Sequence, residues 1–219
     1  MSKEQKEIDK APFDSLKITN SQILNTIEGR KICERCNKSR KFFCYSCYLP
    51  LISREYFPTV KLPIKIDIIK DAREIDGKST AIHAAILAPE DVRIFTYPNF
   101  PEILNKEECV ILKSRISQFW RHQEKSPRWY LATIEAIHQF LVELHTCAFG
   151  AIQGYANIEH TEENSTDNII YQNVNELPEI DQRYRGQYDD LLYFFKYMYV
   201  KIHTMYDHDK LWAYKRPLV

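Results

Sequence analysis

Apolar and polar positions alternate along Ile64-Lys65-Ile66-Asp67-Ile68-Ile69, a β-branched run that predicts a strand. A second strand is predicted over 92–97 and a third around Val110, Ile111 and Leu112. Between the first two, 79–87 predicts a short helix. From 131 to 149 the apolar residues recur at helical spacing, with Ile134, Ile137, Leu141 and Leu144 along one side. A last helix over 188–203 carries Leu191, Leu192, Phe195, Met198 and Tyr199. Near the start, Thr19-Asn20-Ser21 is a capping-type entry to a short helix over 22–28, which Gly29 ends. Pro50, Pro58 and Pro63 mark turns, and the polar stretch 157–175 predicts a loop. The division that follows is a flexible tail over 1–18, a helix and cysteine module over 19–55, and a main domain over 56–219. Strands alternating with helices give that domain an α/β character, with few strands for its length.

Lys and Arg together number 30, and so do Asp and Glu, so the formal net charge is zero. No global field draws nucleic acid or an anionic membrane, and any basic partner site is local. No apolar run reaches the roughly 20 residues that span a bilayer. The first ten residues are polar and lack the apolar core of a secretory signal. Six cysteines without an export signal point to a reducing compartment, the cytoplasm or nucleus.

Four of those cysteines change the picture. Cys33-x2-Cys36 and Cys44-x2-Cys47 are two paired-thiol units separated by seven residues. Each can form a tight knuckle, and two knuckles complete the tetrahedral S4 shell that Zn²⁺ favours. Four protein ligands leave no position for water, so such a metal builds structure. Cys109 and Cys147 stand alone and read as core thiols. Lys38, Arg40 and Lys41 lie between the knuckles, with Arg30, Lys31 and Arg35 before them. Phe42, Phe43, Tyr45 and Tyr48 interleave with these cations. Charge next to stacking surface suits RNA, and a solvated loop over a small aromatic core explains the same residues equally well.

With Cys33-x2-Cys36-Asn-Lys-Ser-Arg-Lys-Phe-Phe-Cys44-Tyr-Ser-Cys47, five further segments resemble the eukaryotic DTW-domain tRNA-uridine aminocarboxypropyltransferases. They are Leu62-Pro-Ile-Lys-Ile-Asp-Ile-Ile69 followed by Glu74-Ile-Asp-Gly-Lys-Ser-Thr-Ala-Ile-His83, then Phe119-Trp-Arg-His-Gln123, Leu131-Ala-Thr-Ile-Glu-Ala136 and Tyr184-Arg-Gly-Gln-Tyr-Asp-Asp-Leu-Leu192. The resemblance implies a SPOUT-like α/β domain with a knotted cofactor site. It also implies transfer of the 3-amino-3-carboxypropyl group of S-adenosylmethionine to N3 of a D-loop uridine in tRNA, with no catalytic metal. The sequence contains no Asp-x-Thr-Trp, and none of Trp120, Trp129 and Trp212 has the required neighbours. The expectation is therefore that the DTW segment is missing through an internal deletion near 101–108, leaving an incomplete sheet.

The resemblance further implies a cofactor site near Thr133 and Glu135, which open the long helix, and near Gln187 and Asp189. RNA contacts are expected from Ser79, Thr80 and His83 at the start of the first helix, and from Lys38 and Arg40. Lys113, Arg115, Trp120, Arg121 and His122 form a second basic-aromatic cluster of that kind. Plainer roles stand beside these: capping by Ser79, Thr80 or Asp189, a packed His83, and a Glu135 that complements a helix dipole. Glu74 is the substitute for the family's aspartate as the base that removes the uridine N3 proton. Two rival readings of the whole chain are an inactive zinc-containing RNA-binding protein and a protein-interaction adaptor. Saturable S-adenosylmethionine binding separates the enzyme from both, and salt-sensitive tRNA affinity separates the rivals.

Overall fold

A computed structural model describes residues 12–99, 111–113, 115–119, 129–155 and 182–205. The cysteine module is two antiparallel ribbons, β1 (Lys31–Ile32) with β2 (Ser39–Arg40) and β3 (Phe43–Cys44) with β4 (Leu49–Pro50). Pro50, expected at a turn, lies in β4 opposite Phe43, an edge position where a missing N–H costs nothing. The helix expected over 22–28 is a 3-10 turn, Gln22–Thr26, and just before it Asn20 Oδ1 accepts the Gln22 N–H at 2.9 Å.

The main domain opens with β5 (Ile66–Lys70), crosses over through α1 (Ala81–Leu87) and returns as β6 (Val92–Thr96), parallel to β5 with Ile66 opposite Val92. Parallel pairing demands such a crossover. Asp91 fixes the entry to this unit: its carboxylate accepts the Leu62 N–H at 2.8 Å and the Lys65 ammonium at 2.6 Å. Every residue of α1 is buried, in keeping with its all-apolar sequence apart from His83. The third strand expected at Ile111 and Leu112 does not form, and Val110 lies outside the described residues, so among these the parallel sheet has two strands.

Two longer helices complete the core, α2 (Thr133–Phe149) and α3 (Tyr193–Met205). Ile134, Ile137 and Leu141 are buried as the periodicity requires, whereas Leu144 is 40% exposed. Leu191 and Leu192 are buried in a 3-10 turn, Asp189–Leu192, that precedes α3. Cys147 is exposed near the end of α2 and is not a core thiol; Cys109 lies outside the described residues. Residues 12–18, assigned to the tail by sequence, pack on the domain. Phe13 is buried edge-on against Tyr199, with ring centroids 5.2 Å apart. Among the described residues no helix is long and apolar enough to cross a membrane.

Candidate nucleic-acid interface and metal centre

Each Cys-x2-Cys unit closes through the same local device. The Asn37 N–H donates to the Cys33 carbonyl at 2.7 Å, and the Tyr48 N–H to the Cys44 carbonyl at 2.8 Å. Asn37 and Tyr48, one residue past each pair, both take positive φ, 54° and 57°. The two turns bring the four Sγ atoms within 4.8 Å of one another, with Cys36 and Cys44 Sγ 3.4 Å apart. A tetrahedron with Zn–S bonds of ~2.3 Å has S···S edges of ~3.8 Å, so the cluster is the right size for zinc. Burial and the neighbouring thiols push the Cys47 thiol up to about 12, a crowding that a dication relieves. Cys33, Cys36, Cys44 and Cys47 thus fit a structural Zn²⁺.

The module places one face against the main domain. There a cleft of about 370 Å³ lies between β2–β3, the 76–83 segment and one face of α3. Arg40, Ser79, Thr80 and His83, four of the residues expected to meet RNA, line it together. Its floor is aromatic: Phe42 packs edge-on to Tyr197 at 5.4 Å and Phe43 to Phe194 at 5.0 Å. Arg40 lies 4.0 Å over the Tyr45 ring. Gly77 makes room for that ring, since a Cβ there would sit 3.2 Å from it.

Bonds within the chain, one local and one long-range, account for the two hydroxyls. Ser79 Oγ accepts the Ala81 N–H at 3.3 Å, inside its own helix start. Thr80 Oγ1 instead accepts the Ile134 N–H at 3.2 Å, in the first turn of α2. That donor lacks a local cap because Ala132 stands at the N-cap with no acceptor. His83 is 4% exposed, with its ring against Phe43 and Phe194, and burial pushes its pKa down to about 3. It is a neutral wall of the cleft.

The residues expected at the cofactor lie elsewhere, around α2. Thr133 is half-buried at its first turn. Glu135 is 1% exposed, and its carboxylate accepts from Ser117 Oγ (2.6 Å), the Gln118 N–H (2.8 Å) and the Ala132 N–H (2.8 Å). It ties segment 115–119 to the helix start. Asp189 is wholly buried and accepts from His138 Nε2 (2.9 Å), Tyr184 Oη (2.9 Å), Tyr155 Oη and the Lys17 N–H (2.7 Å). Burial pushes this carboxyl up, but its donors prevail and hold it below the usual carboxylate range. Gly186, at φ 105°, lets the chain pass; a Cβ there would meet Asp189 Oδ2 and Lys17 at 3.0 Å. Gln187 is exposed and bonds only within its own turn among the described residues, to the Arg185 N–H and the Arg183 carbonyl.

Glu74 is exposed on the loop after β5, and Lys38 is exposed between the knuckles. Lys113 and Arg115 are exposed, and the Lys113 carbonyl accepts from Gln139 at 2.6 Å. Trp120, Arg121 and His122 lie outside the described residues. The sequence reading missed Lys78, Phe194, Tyr197 and Lys201 as cleft residues. A signal existed: Phe194, Tyr197, Met198 and Lys201 share one helical face, at spacings of three, four and seven.

Residues 97–203 match the family described as the DTW domain. This corrects the expectation of a missing DTW segment, because the match runs across 101–108, where the deletion was placed. The relatives found are all called tRNA-uridine aminocarboxypropyltransferase 1. The Xenopus tropicalis protein is 28% identical over 280 aligned positions, covering 85% of each chain. The mouse and human proteins are 27% and 29% identical over 282 positions, covering 86% of this chain and 83% of theirs. These alignments exceed the 219 residues of the chain, so the relatives contain stretches with no counterpart in it. No solved structure matches.

Proposed function

We propose that the protein is a tRNA-uridine aminocarboxypropyltransferase that uses S-adenosylmethionine as donor. The observation that carries this is the alignment with transferases of that name across 85% of the chain, zinc module included, together with the DTW domain at 97–203. The parallel β5–α1–β6 unit is compatible with a SPOUT-like sheet, and the four-cysteine centre with a structural zinc.

In the proposed reaction N3 of the uridine attacks Cγ of the methionyl chain. The Cγ–S⁺ bond breaks, 5′-methylthioadenosine leaves as a neutral thioether, and the N3 proton passes to a base. The sulfonium is an activated leaving group, so orientation of the two substrates supplies much of the acceleration. Glu74 is our candidate base, an exposed carboxylate on the loop that leads into the cleft.

The test is to incubate the purified chain with unmodified tRNA and S-adenosylmethionine, then digest the RNA and identify its nucleosides by mass spectrometry. We expect 3-(3-amino-3-carboxypropyl)uridine and an equal amount of methylthioadenosine. A chain that binds tRNA yet forms neither product would be the inactive RNA-binding protein instead.

A further inference from the structure

Five cations line the cleft: Arg30, Arg40, Lys41, Lys78 and Lys201. None of the five forms an ion pair among the described residues, where acidic partners go to other cations. The single acid on the wall, Asp76, is held by Lys70 at 2.6 Å. A chain of zero net charge has thus gathered uncompensated positive charge at one concave place. Such charge repels itself and is destabilising without an anion, which separates it from a solvated surface of mixed sign.

The cleft also has a flat apolar interior. Phe42, Tyr45 and Tyr197 supply ring surface beneath the cations. Arg40 belongs to both layers: it stacks on Tyr45, and its buried Nε has no acceptor among the described residues. The volume, about 370 Å³, lies in the range of roughly 300–1,000 Å³ that small ligands occupy. A cation rim over aromatic walls matches a phosphate backbone with an unstacked base, and not duplex, whose bases are inaccessible to a pocket.

We propose that this cleft docks a single-stranded nucleotide of the tRNA, its phosphates on the Lys41, Lys78 and Lys201 side and its base against the rings. The docking role rests on tRNA being the substrate. It makes the zinc module an RNA-positioning element, since Arg40, Lys41 and Phe42 hang between the two knuckles.

The experiment measures tRNA affinity of the full chain against salt, for wild type, the double variant Lys41→Ala/Lys201→Ala and the control Lys61→Ala. All three lysines are exposed, so the fold tolerates their truncation. Two lost single-strand phosphate contacts reduce the slope of log affinity on log salt by about 1.4, while the control keeps it. In parallel, 4-thiouridine-substituted tRNA is photo-crosslinked and the adduct mapped, with Phe42, Tyr45 or Tyr197 expected. A double variant with wild-type slope, or adducts confined elsewhere, overturns the cleft and leaves the transferase reading intact. A wild-type chain that neither binds nor modifies tRNA overturns both.

Discussion

His83 carries its imidazole on α1 among Phe43, Phe194 and apolar neighbours, and burial disfavours its charged form. Its folded pKa, about 3, lies below the unfolded value of about 6.5, so the unfolded chain binds the proton first as pH falls. The stability of the neutral ring is fully present above pH ~6.5 and is lost from there downward, by at most about 1.4 kcal/mol per unit. Urea midpoints measured from pH 7.5 to 4.5 are expected to decline, and His83→Leu to flatten that decline. An unchanged slope in the variant would assign the acid sensitivity to another group. At this scale the thiols were the most legible residues, because knuckle spacing is local and encoded in consecutive positions. Asp189 was not: its donors Lys17, His138 and Tyr155 are up to 172 residues away, and no local pattern announces them.

Helix α2 begins without a side-chain cap of its own, and the deficit is met from α1 by Thr80. The bond crosses 54 residues and locks the two helices at their N-termini. Replacing Thr80 with Val keeps the shape and deletes the acceptor, leaving a buried N–H unpaired. The expected loss is about 1 kcal/mol, read as a lower urea midpoint, with Thr80→Ser retaining most of the stability. Equal stability of Thr80→Val and wild type would show that the Ile134 N–H finds another partner. The apolar periodicity gave β5, β6 and α2 to within a few residues, since one buried face imposes its period on the sequence. The third strand was misread because Val110-Ile111-Leu112 is a short apolar run, which periodicity alone does not assign to a strand. Ile111 is 96% exposed and contributes nothing to a core.

At the scale of the whole molecule the four-cysteine cluster and the cleft are mechanically joined. The β2–β3 connection carries cleft residues on its outer side and is held at both ends by cysteines. We expect one zinc per chain by elemental analysis, and loss of both thermal stability and tRNA affinity when Cys36→Ser opens the site. A metal-free protein with unchanged melting would remove zinc from the description. The cleft itself was only half legible: Arg40, Ser79, Thr80 and His83 came from motifs, while Lys78 and Lys201 are brought in by the packing of distant elements.

Segment 12–19 binds the far end of the chain. The Lys17 N–H reaches Asp189, the Thr19 N–H and hydroxyl reach Asp190, and Phe13 sits on Tyr199. The cysteine module therefore leaves the domain after residue 19 and re-enters it near β5, both ends anchored in the same core. It is a cassette spliced into one folding unit, not an appendage on a leash. Heat or denaturant has no hinge at which to part them, so module and domain melt in a single transition.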